Sequence, residues 1–115
     1  MVRKGYASEY KAKKELISEF GKNSVFKLAI GQAADYIVVN KGRAVKIVEV
    51  KECHQNVYRA SKRDMEQFER VIDIALSNDC IAERWVYFPK LGVKSTPSKE
   101  KVFKSHLPNL DEKDR

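Results

Sequence analysis

Cysteine is scarce in this 115-residue chain: Cys53 and Cys80 are its only two, with no CxxC motif and no Cys/His cluster. That pattern excludes a zinc site of the usual spacing and offers no disulfide framework, so both thiols are expected to be free. Histidine is equally sparse, and His54 and His106 fall in loop-like segments without partner ligands. No apolar run approaches the roughly 18 residues of a membrane span. The opening MVRKGYASEYKAKKE lacks the apolar centre of a signal peptide. No membrane partner and a cytoplasmic location are therefore the expectations. Internal repeats and low-complexity tracts are absent too, and the length suits one domain around a single core.

Positive charge is in excess. Lys and Arg number 23 against 16 Asp and Glu, a net charge of +7. Such a balance favours polyanionic partners through phosphate contacts and counterion release, although a lysine-rich solvated surface would look the same. A specific site has to decide between them.

Helical periodicity covers residues 5–20, where Tyr6, Tyr10, Leu16, Ile17 and Phe20 share one side at about 100° per residue, before Gly21. Glu9 projects into that apolar arc, and Lys13 offers it a plain helical ion pair. Val25 to Ile30 reads as a first strand. Tyr36–Val39 and Ala44–Val50 read as two more, joined by a three-residue loop Asn40-Lys41-Gly42 with glycine in the left-handed position. A second helix spans about Ser61 to Ser77, with Ser61 and Asp64 as a capping pair and Met65, Phe68, Ile72, Ala75 and Leu76 as its core stripe. Gln67 borders that stripe. Ile81-Ala82 and Trp85–Phe88 supply a further strand, Trp85 and Phe88 being read as core or dimer packing. We divide the chain into a core domain, 1–89, and a basic, partly ordered C-terminal extension, 90–115. That extension is interrupted by Pro97 and Pro108, with a short strand near Val102-Phe103. Apolar residues on both faces of the strands indicate a covered sheet, α/β or α+β.

Within those apolar strands stand Asp35, Glu49 and Lys51, the last two in the run VKIVEVK. Charges avoid burial unless they pair or bind a metal. An odd-length loop at Gly42 keeps Asp35 on the face of Ile47 and Glu49, as diagonal cross-strand neighbours roughly 7–8 Å apart; an even-length loop would separate them. Two carboxylates on one face suit Mg²⁺, which takes oxygen ligands from few side chains plus water and substrate. Asp35 and Glu49 are the proposed ligands, Glu9 completes or tunes the site, and the Val50 carbonyl is a further donor. Lys51 projects to the same side, where it can orient a water or stabilise developing negative charge. Gln67 can hydrogen-bond the lysine, the water or a phosphate. The plain alternative for the trio is a buried ion pair between neighbouring strands.

Glu9 in a helix opened by Arg3-Lys4-Gly5, then Asp35, Glu49-Val50-Lys51 and helical Gln67, together resemble the PD-(D/E)XK nuclease superfamily. The pattern is most similar to the archaeal-type Holliday junction resolvases and their viral relatives, over about Arg3 to Phe88. The segment Gly31–Ala34 departs from them in having no serine or proline before the aspartate. The resemblance implies a restriction-endonuclease-like central mixed sheet flanked by helices. It also implies Mg²⁺ dependence with Mn²⁺ as a substitute, a homodimer acting on four-way DNA junctions in recombination and repair, and an archaeal or viral setting. By the same resemblance Glu9, Asp35 and Glu49 are metal-site acids and Lys51 the catalytic lysine, while Arg3, Lys4, Lys22 and Lys27 contact DNA. Tyr58 and Arg59 suit either DNA contact or plain loop exposure. Two other functions fit the residues: a stand-alone nuclease of repair or restriction type, and a catalytically silent nucleic-acid-binding module.

Overall fold

The first helix, α1 (Tyr6–Phe20), stops where the periodicity ends, at Gly21. Gly21 takes φ +93°, and its N–H closes the last turn on the Ile17 carbonyl at 2.7 Å. A residue without Cβ meets that left-handed requirement at least cost. Strands β1 (Val25–Lys27), β2 (Tyr36–Asn40) and β3 (Arg43–Glu52) follow. Helix α2 (Lys62–Ser77) and strands β4 (Ile81–Tyr87) and β5 (Ser98–Val102) complete the order. The computed structural model describes residues 6–28, 34–91 and 96–103.

The strands form one mixed sheet in the order β1-β2-β3-β4-β5. All neighbours are antiparallel except β3 and β4, which run parallel and are connected through α2. Because strand side chains alternate, the sheet has two apolar faces. Ala12 and Leu16 of α1 pack on Tyr36, Val38, Val48, Trp85 and Tyr87. On the other face Phe68, Val71 and Ala75 of α2 pack on Ile47, Ala82 and Cys80. The architecture is α+β, a central mixed sheet with helices on both faces. Among the described residues no helix is long and apolar enough to cross a membrane, and both cysteines are free thiols.

Three expectations change. Tyr10 and Met65 are half exposed, at 53% and 51%, rather than part of the core stripes. For Met65 the reason is what lies beneath it: the first turn of α2 stands over the Arg84 guanidinium, not over apolar sheet. The short strand expected near Val102-Phe103 is present and begins earlier, as Ser98–Val102 paired along β4.

The hairpin is the third change, and it sets the site. Asn40 pairs with Arg43, so the loop has two residues, Lys41 and Gly42, both left-handed at φ +54° and +79°. That is the tight turn whose twist matches the strands, rather than the three-residue loop read from the glycine position. Alone it would put Asp35 and Glu49 on opposite faces. A β-bulge reverses the parity: Val39 pairs with Ala44 but Val38 with Lys46, leaving Val45 as the extra residue. Past the bulge Tyr36 faces Val48, and the same register sets Asp35 opposite Glu49.

Candidate active site

Asp35, the residue just before β2, is half-buried beside β3. Its Oδ2 accepts a hydrogen bond from the Val50 N–H at 2.7 Å. Burial raises its pKa to about 6 against the opposing help of the Val50 amide, and the Glu9 and Glu49 carboxylates push the same way as burial. When protonated it hydrogen-bonds Glu9. Glu9 reaches this point because the Tyr36 hydroxyl donates to the Glu9 carbonyl at 3.0 Å, tying α1 to the residue after Asp35.

Glu49 is fully buried. Arg84, its neighbour in the parallel register, donates from Nε to Oε1 at 2.8 Å. Oε2 has no hydrogen-bond partner among the described residues. Burial raises the Glu49 pKa, and Arg84 and Lys51 oppose that rise. Lys51, two residues on and on the same face, places Nζ 3.1 Å from Gln67 Oε1 and 3.4 Å from Asp64 Oδ1. Asp64 is the acid of the capping box that starts α2. Although burial acts to raise its pKa, the Tyr58 hydroxyl, Lys51 and the Ser61 amide together hold it below the usual value. Burial and the bond to Asp64 push the Tyr58 phenol up to about 12, so it stays a hydrogen-bond donor.

Glu9, Asp35, Glu49, Lys51 and Gln67 thus come together at the ends of β2 and β3 under the first turns of α1 and α2. Lys22, Lys27 and Arg59 are exposed, and Lys27 lines a small cleft with Glu9, Tyr10, Lys13 and Tyr36. Arg3, Lys4 and residues 31–33 lie outside the described residues. Arg84 was missed in the sequence. Its signal was available: Glu83-Arg84 is a charged pair inside an apolar strand, the same anomaly that picks out Glu49.

Among the described residues, no three His, Cys, Asp or Glu side chains stand close enough to hold an ion as placed. The donor chemistry nonetheless fits a hard divalent cation. The Asp35 pKa is raised by burial and, in the same direction, by its carboxylate neighbours, and Glu49 Oε2 is buried without a hydrogen-bond partner among the described residues. A cation between them would offset both penalties. Val50 directs its N–H to Asp35, so its carbonyl leaves β3 on the same edge and can join the set.

No family model matches the sequence, and no curated protein matches it. Among solved structures, Hjc from Archaeoglobus fulgidus, described as a Holliday junction resolvase from an archaeal hyperthermophile, aligns with a TM-score of 0.44 at 17% identity. The alignment covers 80% of this chain and 88% of that one. At that level of likeness the reading of the site rests on its own residues.

Proposed function

We propose that this protein is a metal-dependent endodeoxyribonuclease. The observation that carries the reading is the Glu49 carboxylate, fully buried yet with one oxygen lacking a hydrogen-bond partner among the described residues, across the strand pair from an Asp35 whose pKa is raised to about 6. A structural ion pair alone would leave no reason for a second carboxylate there, because like charges at short range raise the cost of both. Asp35, Glu49 and the Val50 carbonyl would hold Mg²⁺ or Mn²⁺, with Glu9 tuning Asp35. The ion, when bound, neutralises the phosphodiester and favours an ionised water. Lys51 supplies a positive donor beside the attacked phosphate, where it orients the water and stabilises charge that develops on the phosphate oxygens. Gln67 fixes that ammonium. The surplus of basic residues, with Lys22, Lys27 and Arg59 exposed, supports a polyanionic substrate.

The order of the motif residues resembles that of junction resolvases, so branched DNA is the proposed substrate, cut by paired symmetric nicks from a homodimer. One two-fold axis relating two sites suits two symmetric cuts. The test offers purified protein a four-way junction, a flap, a matched duplex and single-stranded DNA, each with Mg²⁺ and with EDTA. Paired nicks confined to the junction are expected; equal cutting of the linear duplex assigns a repair or restriction role instead. The Glu49–Arg84 ion pair favours a second reading, a silent nucleic-acid-binding module, because it gives Glu49 a structural partner. Binding without cleavage in either Mg²⁺ or Mn²⁺ would establish that module.

A further inference from the structure

Glu49 and Lys51 are two residues apart on β3, and both are held from one place, the first turn of α2. Arg84 donates from Nε to Glu49 at 2.8 Å and from Nη2 to the Asp64 carbonyl at 2.8 Å. Its guanidinium also lies 4.2 Å from the centre of the Phe68 ring, which locks the fork in place. Asp64 returns the connection through its side chain, with Oδ1 3.4 Å from Lys51 Nζ. Glu49, Arg84, Asp64 and Lys51 therefore close a ring.

The two oxygens of Asp64 have different work. Oδ2 accepts from the Tyr58 hydroxyl at 2.9 Å and from the Ser61 N–H at 3.4 Å, contacts that build the loop and the helix cap. Oδ1 faces Lys51, a contact separate from those of the loop and the cap. A lysine ammonium on a four-carbon stem has rotatable donors and no preferred direction of its own. Gln67 gives it one acceptor, and Asp64 gives it the second that fixes its bearing.

We propose that Asp64 is a positioning residue for the cleavage reaction: it holds the Lys51 ammonium beside Gln67, and the ring through Arg84 keeps the lysine and the Glu49 carboxylate in step. This rests on the nuclease reading above. The competing role is that of a helix cap alone, and Asp64→Asn separates the two. Asparagine can keep its oxygen toward Tyr58 and Ser61, while its NH2 turns a donor toward Lys51. Ser61→Ala is the control, since it removes the cap hydroxyl and leaves Oδ1 untouched.

The experiment compares wild type, Asp64→Asn and Ser61→Ala by steady-state cleavage in Mg²⁺, by melting temperature, and by acetylation of Lys51 with an amine-reactive reagent. Acetylation is read by mass spectrometry against exposed Lys41 in the same sample. For Asp64→Asn, kcat is expected to fall about 10- to 100-fold, as misplacement by about 1 Å does, with KM within about twofold. Lys51 acetylation should rise several-fold relative to Lys41. Ser61→Ala should melt lower and keep both wild-type kcat and wild-type Lys51 reactivity. Wild-type kcat and Lys51 reactivity in Asp64→Asn would overturn the proposal, as would losses in both variants that simply track melting temperature. If wild type cuts none of the DNA substrates, the nuclease reading fails. The clamp is then judged by Lys51 acetylation alone, a rise in Asp64→Asn sustaining it and no rise overturning it.

Discussion

Two glutamates lie fully buried on adjacent central strands, Glu49 of β3 and Glu83 of β4, and they face opposite sides of the sheet. Glu83 is matched on both oxygens. Its Oε1 accepts the Trp85 indole N–H at 2.7 Å, and Lys46 Nζ approaches Oε2 at 2.6 Å, an ion pair without the angle of a directed hydrogen bond. Lys46 itself is buried and lies over the Phe20 ring. Glu49 has Arg84 on one oxygen, no hydrogen-bond partner for the other among the described residues, and a second carboxylate across the strand pair. Burial alone therefore does not distinguish a structural charge from a functional one. The unmatched oxygen beside a like charge is what makes Glu49 the candidate, because it carries a cost that the Lys46 ion pair offsets at Glu83.

The largest expected contrast is in cleavage. Glu49→Gln and Lys51→Ala should each lower kcat by about 10³-fold, the scale of losing one preorganised electrostatic group. Glu83→Gln should retain wild-type cleavage per folded molecule, and equal losses at Glu49 and Glu83 would erase the distinction. Next comes stability: Glu83→Ala strands the buried Lys46 ammonium and should cost about 3–5 kcal/mol in urea unfolding.

Asp35→Asn should do the opposite and raise the melting temperature at pH 8. Its folded pKa of about 6 exceeds the free value of 3.8, so ionisation costs folding energy that a neutral side chain avoids. The stability linked to protonation is fully present below about pH 4 and is lost as pH rises through 6. The gain should therefore vanish near pH 4 and reach about 1–2 kcal/mol at pH 8, discounted for partial exposure. A gain that does not depend on pH would refute the raised pKa that burial, with the neighbouring carboxylates, gives Asp35. The smallest effect is at the hairpin. Gly42→Ala should cost about 1 kcal/mol for its left-handed φ while activity per folded molecule stays unchanged, since the bulge rather than the turn restores the shared face.

Much of this was legible from periodicity. The cap Ser61 and the helix to Ser77 stand where the sequence puts them, because capping and helical amphipathicity are local. Lys51 and Gln67 meet as a hydrogen-bonded pair, since strand alternation and the helix edge both pointed there. The route by which Asp35 comes to face Glu49 was not legible. The sequence favoured an odd loop; the chain uses an even loop and a bulge, two parity changes that cancel. A bulge is chosen by how Val45 packs and how the strands twist, and no dipeptide announces it.

Arg84 was hidden for a different reason. Its pairing with Glu49 spans 35 positions and exists only because β4 lies parallel to β3. The sequence by itself determined which charges sit in apolar strands and that Glu49 and Lys51 share a face of β3, because alternation within a strand is a property of the local backbone. Only the tertiary structure decided which of those charges are matched, because partners arrive from other strands and helices through register. That difference separates Glu83, held on both sides, from Glu49, left with one oxygen open.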